Sequence, residues 1–172
     1  MESTPRLYEA LRQLLGQQCR WQDQRHLYPL VWMVVGVLAS GQISLTAWGD
    51  YGQSRASYAQ STQRRFSRWL SNEQVNEHQL DERLIRYALS TWSQPRLVLA
   101  LDTSMLWNRY CLIRIALIYR GRAIPIVWKV LEHGSSAVAY STYAPLLDAI
   151  VGMLPGAVEV LFLADRGFAD VE

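Results

Sequence analysis

Two aspartates each end an uninterrupted apolar run. Asp102 ends the run at residues 97–102, and Asp165 ends the run at residues 160–165. Apolar runs of this length, bounded by turn residues, are typical of buried central strands. Ligand sites in open α/β sheets lie outside the carboxyl ends of the strands, so a carboxylate there is well placed for chemistry. Two such carboxylates on neighbouring strands repel each other unless a cation neutralises them, and hard oxygen ligands favour Mg²⁺ or Mn²⁺.

The chemistry expected of this pair is metal-assisted. Two divalent ions can activate a water or hydroxyl and stabilise the leaving oxygen of a phosphodiester. Thr103 and Ser104 follow the first aspartate and could line the site, while Arg166 follows the second and could clamp a phosphate. Taken singly, an aspartate at a strand end is often a turn former or a helix cap. The matched pair favours the metal site over that alternative.

Composition indicates a folded protein. The chain has 172 residues, of which 50% are hydrophobic and seven are tryptophan, which argues against disorder. The net charge of +2 is too small to indicate a nucleic-acid partner. Lys129 is the only lysine, so nearly all cations are arginine. Arginine binds phosphate bidentately, but a GC-rich genome also enriches it, and both explanations stay open.

Two cysteines and one apolar segment limit the alternatives. Cys19 and Cys111 lie far apart without a C-x-x-C or His/Cys cluster, so a zinc site is not expected, and Cys111 should be a buried thiol. The residues 27–39 are apolar but include Pro29 and Gly36, and about 13 residues fall short of the about 20 that cross a membrane. We expect a buried core helix, no membrane partner and, without a signal peptide, a cytoplasmic protein.

The chain changes character near Pro95. Residues 1–94 are expected to form a helical, DNA-binding region, and residues 95–172 a domain with a sheet, which makes the chain α/β (α+β overall). Apolar periodicity in the first region predicts helices over residues 5–17, 27–39, 43–48, 57–70 and 78–92.

The fourth of these helices is basic. No acidic residue lies between Asp50 and Glu73, and four arginines do. A helix face of Arg, Ser, Thr and Gln suits phosphate contacts, although a solvated helix face gives the same pattern. The DNA-binding candidates are Arg55, Arg64, Arg65 and Arg68, together with Arg166 in the second region.

The sequence of the second region predicts a sheet whose elements follow in the order β-β-β-α-β. Strands are expected over residues 96–101, 110–119, 123–131 and 158–164, with a helix over 145–154. The first three strands form a meander, and the helical connection makes the fourth run parallel to the first and lie beside it. This order places Asp102 and Asp165 at the same end of adjacent parallel strands.

The register of the second hairpin raises a question about charge. A two-residue turn at Gly121 and Arg122 would place Arg114 opposite Lys129. Like charges that face each other across two strands are destabilising. Either the register differs, or both side chains face solvent or an anion. Pro125 cannot donate to a ladder, so the third strand is expected at the edge.

Three segments of the chain resemble a known family. The run LALDTS at residues 99–104 and the run LADRGF at residues 163–168 resemble the first and second acidic motifs of DDE transposases of insertion-sequence family four. The segment QRRFSRWLSN at residues 63–72 is similar to the helical segment upstream of that catalytic domain. The resemblance covers most of the chain, and the second acidic motif is the most specific part of it.

The resemblance implies a ribonuclease H-like core that performs metal-dependent DNA cleavage and strand transfer at the ends of a mobile element. Asp102 and Asp165 would be the first two ligands of Mg²⁺ or Mn²⁺. The family's third acidic residue lies in a downstream Tyr–Arg–Glu–Lys signature, which these residues lack, and Asp170 and Glu172 are too close to Asp165 to replace it. We therefore expect the N-terminal portion of a transposase, with an incomplete sheet and no catalysis by itself.

Two alternatives stay open. The chain could be a non-catalytic DNA-binding or dimerising fragment that regulates transposition, or a ribonuclease H-like nuclease unrelated to transposition. The partners that the resemblance implies are double-stranded DNA, as element end and as target, and a second copy in a homodimer. The expected location is the bacterial cytoplasm, at the nucleoid when the protein is bound to DNA.

Overall fold

Helices occupy the first part of the chain and strands the second, which confirms the predicted mixed α+β organisation. The computed structural model describes residues 3–52, 59–156 and 158–168. The chain divides into two units, Met1–Leu84 and Ile85–Glu172, whereas the sequence placed the boundary between residues 94 and 95. The helices are α1 (Ser3–Gln18), α2 (Leu27–Ser40), α3 (Leu45–Gly49), α4 (Ala59–Leu70), α5 (Glu77–Ser90) and α6 (Tyr140–Val151), and the strands are β1 (Arg96–Leu106), β2 (Tyr110–Tyr119), β3 (Arg122–Glu132) and β4 (Glu159–Ala164).

The first unit is built around α2, as the sequence predicts. Val31 and Val35 of this helix are fully buried, and Phe66 of α4 belongs to the same core. The helix ends at Gly41, whose φ of 66° and N–H bond to the Val37 carbonyl form a left-handed cap. Within the described ranges, no helix combines the length and the apolar character needed to cross a membrane.

A glycine lets α2 and α3 approach closely. A Cβ on Gly36 would lie 2.6 Å from the Cβ of Trp48, which is far inside van der Waals contact. Trp48 cannot easily move away, because it is buried and its Nε1 donates a 2.7 Å bond to the Gln42 carbonyl. Ser44 caps α3 by accepting from the Ala47 N–H. Gly36 is therefore a packing requirement of the first unit.

The second unit contains the sheet that the sequence predicts. Its strand order is β3-β2-β1-β4, with antiparallel β1–β2 and β2–β3 pairs and a parallel β1–β4 pair. Alternate residues of the central strands are buried, such as Leu99 of β1 and Ile113 of β2. The connecting helix α6 contributes Leu146 and Ile150 to this core. It begins earlier than the predicted residue 145, so that Pro145 lies inside it.

The second hairpin does not turn at Gly121 and Arg122, the turn that would place Arg114 opposite Lys129. The turn consists of Arg120 and Gly121, both at positive φ (49° and 74°), which suits the twist of a two-residue hairpin. A bulge between β2 and β3 then shifts the pairing, so that Arg114 lies opposite Trp128 rather than Lys129. Of the two alternatives that the sequence left open, the different register is the one observed.

The fourth strand forms an edge of the described sheet. Its side chains are exposed on both faces, from Val160 at 38% to Leu163 at 46%. At its start, Glu159 accepts three hydrogen bonds from Arg96 of β1, its partner in the parallel register. An apolar edge strand without lysine, proline or bulge is open to pairing with another strand.

The close approach of α2 and α3 predicts a large cost for a small substitution. Gly36→Ala should lower the free energy of unfolding by about 1–3 kcal/mol, because the added methyl overlaps the backbone and Cβ of Trp48. Urea unfolding followed by far-UV circular dichroism measures the change. Gly49→Ala is the matched control, since a Cβ there meets nothing within 4 Å. Equal stability of the two variants would contradict the packing role of Gly36.

Candidate functional site

The structure brings Asp102 and Asp165 to the same end of two neighbouring parallel strands. The last parallel pair joins Leu101 of β1 to Ala164 of β4, and each aspartate is the next residue of its chain segment. The expectation from the strand order is therefore met for the backbone. Parallel pairing makes this juxtaposition a property of the sheet rather than of a flexible loop.

Asp102 does not end its strand, which differs from the prediction that the strand stops at residue 101. β1 continues to Leu106 and pairs along this stretch with β2, as far as Tyr110. The Arg109 N–H donates to the Leu106 carbonyl and closes the turn. β1 extends beyond Asp102 because β2 continues to pair with it after the pairing with β4 has ended. Asp102 thus projects from a paired strand, where its backbone is held by the ladder.

Arg114 forms an ion pair with Asp102. The two residues are direct partners in the β1–β2 ladder, and Arg114 Nη2 lies 2.6 Å from Asp102 Oδ2. Their side chains are 34% and 53% exposed, so both keep contact with solvent. Sequence reasoning did not identify Arg114 as a site residue. The length of the turn between β1 and β2 could have predicted this contact, because that length places residue 114 opposite residue 102.

Asp165 lies at the candidate site and also forms a turn, which is the alternative role that the sequence left open for it. Its Oδ1 accepts a 2.6 Å bond from the Arg166 N–H, and its carbonyl accepts from the Phe168 N–H. These bonds form the 3₁₀ turn Arg166–Phe168, which Tyr143 of α6 anchors by donating its hydroxyl to the Phe168 carbonyl. Arg166, the first residue of this turn, has an exposed side chain.

The two hydroxyls after Asp102 differ in their placement. Thr103 donates its hydroxyl to the Ser136 carbonyl at 3.1 Å, in the loop after β3. Because successive strand residues point to opposite faces, Ser104 shares a sheet face with Asp102 and Thr103 does not. Ser104 is therefore the hydroxyl that the fold places on the side of the carboxylate.

The donor chemistry of this end of the sheet suits Mg²⁺ or Mn²⁺. Asp102 Oδ1 and Asp165 Oδ2 are hard oxygen ligands that the bonds to Arg114 and Arg166 leave available. Mg²⁺ commonly binds one or two carboxylates and keeps several waters, which this pair permits. Within the described ranges, no group of three or more His, Cys, Asp or Glu residues is placed to hold a metal ion.

The cysteines take no part in such a site. Cys19 and Cys111 are both free and buried, in agreement with the expected buried thiol at residue 111. Burial raises the pKa of both thiols, because an apolar environment disfavours the thiolate. Neither is poised to act as a nucleophile or a metal ligand.

The basic helix α4 presents two of its predicted arginines to solvent. Arg64 and Arg68 are exposed, and Arg68 Nε donates to the Arg64 carbonyl at 3.3 Å. On the opposite side of the same helix, Phe66 and Thr62 are buried. The arrangement leaves the two guanidinium groups available for phosphate contacts. Arg55, the first candidate, lies outside the described residues.

Arg65 differs from its neighbours on the helix. Its Nε and Nη2 atoms are buried, and neither has a hydrogen-bond partner in the described part of the chain. The guanidinium carbon lies 5.5 Å from the centre of the Phe66 ring, a weakly favourable cation–π contact. Arg65 therefore has less capacity to contact a phosphate than Arg64 or Arg68, because only part of its guanidinium can reach one.

No protein-family model, curated protein or solved structure gives a significant match to this chain.

The environment of Arg65 predicts a stabilising substitution. Arg65→Met should raise the free energy of unfolding by about 1 kcal/mol, because it keeps the apolar stem and removes buried donors that find no acceptor among the described residues. Arg64→Met, at an exposed position, should change stability by less than about 0.5 kcal/mol. Urea unfolding of both variants measures the difference. A clear loss of stability in Arg65→Met would mean that the guanidinium has a stabilising partner.

Proposed function

We propose that this chain is part of a DDE transposase similar to those of insertion-sequence family four, with a ribonuclease H-like sheet. Asp102 and Asp165 supply the first two carboxylates of a site for DNA cleavage and strand transfer. The observation that carries the proposal is their position, one residue after the last parallel pair of β1 and β4. The motifs around both aspartates support it independently.

The residues of the site suit phosphodiester chemistry. Asp102 Oδ1 and Asp165 Oδ2 would hold Mg²⁺ or Mn²⁺, and when bound the ion supplies a Lewis acid that activates water or a hydroxyl nucleophile. The paired β1 backbone and the 3₁₀ turn after β4 keep the two carboxylates in place. Arg166 follows Asp165 in the chain, is exposed, and can bind a phosphate oxygen of the DNA backbone.

Double-stranded DNA is the proposed partner of helix α4. Arg64 and Arg68 are solvent-exposed on a segment without acidic residues, so their charge is available to phosphates. Such contacts fix the position of a protein on the duplex but do not read sequence. Arg55 remains a candidate for the same role, and Arg65 is a weaker one. Binding of element ends in a homodimer, at the bacterial nucleoid, is consistent with the proposal.

A second candidate function is non-catalytic DNA binding that regulates a full transposase. It is favoured by the Asp102–Arg114 ion pair, which already compensates the charge of a carboxylate that a bound metal ion would need. The two candidates differ in metal chemistry. A regulator would bind DNA without any dependence on Asp102, and a transposase would need Asp102 for cleavage once the third carboxylate is present.

The metal-site proposal predicts the effect of removing one carboxylate. In a chain that also carries the downstream third carboxylate, Asp102→Asn should reduce cleavage of element-end DNA by more than about 100-fold, because a direct metal ligand contributes more than its neighbours do. DNA binding should change little, since exposed ion pairs contribute at most about 1 kcal/mol to folding. Asp148→Asn, an exposed carboxylate on α6, is the control. Full cleavage by Asp102→Asn would exclude the assignment.

The DNA-binding proposal makes a prediction for the 172-residue chain itself. Replacing Arg64 and Arg68 by Gln should weaken binding to duplex DNA and lower the slope of log K against log salt by about 1 for each phosphate that the variant no longer neutralises. Fluorescence anisotropy at several salt concentrations measures both quantities. Arg12→Gln is the control, because Arg12 on α1 is already paired with Glu9. Equal salt slopes for all variants would rule out α4 as the phosphate-binding face.

A further inference from the structure

The Asp102–Arg114 ion pair occupies one oxygen of a carboxylate that the proposed function assigns to metal binding. Arg114 Nη2 lies 2.6 Å from Asp102 Oδ2, and both residues are fixed opposite each other in the β1–β2 ladder. A guanidinium in this position competes with a divalent cation for the negative charge of the same carboxylate. It also repels the cation, because like unit charges about 4 Å apart repel each other by about 1 kcal/mol even in bulk water.

We propose that Arg114 couples metal binding to DNA binding by changing partners. Without DNA, its guanidinium pairs with Asp102 and keeps the affinity of the site for divalent cations low. When a DNA phosphate reaches this end of the sheet, Arg114 binds the phosphate and releases the Asp102 carboxylate to the cation. This inference rests on the proposed function, because it takes Asp102 as a metal ligand, and it assigns to Arg114 the role of a positioning residue.

The chemistry of the two partners makes the exchange feasible. A phosphodiester offers two oxygens that a guanidinium can bind as it binds a carboxylate, with paired N–H donors. The Arg114 and Asp102 side chains are 34% and 53% exposed, so a phosphate can reach the guanidinium from solvent. Exposed ion pairs contribute little to stability, so the fold is barely weakened when this one opens.

The location of Arg114 favours a local exchange over a rearrangement of the fold. It lies on β2, a central strand paired on one side with β1 and on the other with β3. Its backbone is therefore held by ladders on both sides, and only the side chain has to move. The consequence is thermodynamic coupling: if the phosphate raises the affinity for the cation, the cation raises the affinity for DNA by the same factor.

A charge-dependent metal affinity tests the first half of the proposal. Binding of Mn²⁺ to the 172-residue chain, measured by electron paramagnetic resonance of the free ion, should be about fivefold or more tighter in Arg114→Gln than in the wild type. Arg114→Lys keeps the positive charge and should stay within about twofold of the wild type, which a purely structural role would not predict. Arg109→Gln is the matched control, because it opens another exposed ion pair of the same unit, between Arg109 in the β1–β2 turn and Glu132 of β3.

Coupling to DNA tests the second half. Mn²⁺ should tighten binding of a fluorescent duplex to the wild type, and this gain should disappear in Arg114→Gln and in Asp102→Asn. Thermal melts of all variants exclude loss of the fold as the reason. Mn²⁺ affinity that is unchanged or weaker in Arg114→Gln overturns the exchange.

The two proposals fail in distinguishable ways. If Asp102→Asn loses Mn²⁺ binding but Arg114→Gln resembles the wild type, only the exchange is wrong. If Mn²⁺ binding is independent of Asp102 in every variant, with and without DNA, the metal site and the exchange are both wrong. Binding that appears only in Arg114→Gln supports the exchange, because removal of the competing charge then exposes the site.

Discussion

The parallel pairing of β1 and β4 is the interaction on which the candidate site depends. Parallel strands require a crossover, and α6 provides it by burying Tyr143, Leu146 and Ile150 in the core of the second unit. The register that results pairs Leu101 with Ala164 and leaves one aspartate directly after each. Two carboxylates distant in sequence thus come to one end of the sheet through apolar packing elsewhere.

The same strand serves the core and the site because its side chains alternate. Leu97, Leu99 and Leu101 of β1 are buried, while Asp102 is exposed on a strand that continues beyond it. Continuation of the strand has a chemical consequence. It keeps Asp102 opposite a residue of β2, and that residue is an arginine. A loop aspartate would have no such fixed partner, so the extension of β1 determines the charge environment of the carboxylate.

Much of this fold could be predicted from the sequence because its signals are local. Apolar runs ending at residues 102 and 165 indicated two strands, and a short glycine-containing link indicated the second hairpin. The expected burial holds for β1 but is wrong for β4, which is exposed because it forms an edge of the described sheet. The strand order followed from chirality and connection length. What sequence reasoning missed depends on pairing between segments. The end of β1, the turn at Arg120–Gly121 and the Asp102–Arg114 contact all follow from register, which one bulge or one turn residue can shift.

The arginines of the chain show why residue type alone is insufficient to assign a phosphate contact. Arg64 and Arg65 are adjacent on α4, yet one is exposed and the other has two buried nitrogens, since the two positions lie on different sides of the helix. Arg114 is reachable from solvent but already paired with a carboxylate. An exposed, unpaired arginine binds an anion with little reorganisation, whereas a paired one must first exchange its partner. When a paired arginine binds an anion, the carboxylate it leaves behind loses its partner. Anion binding is then more favourable if a cation takes the place of the arginine at that carboxylate. A site that binds both a cation and a phosphodiester requires this dependence of one binding event on the other.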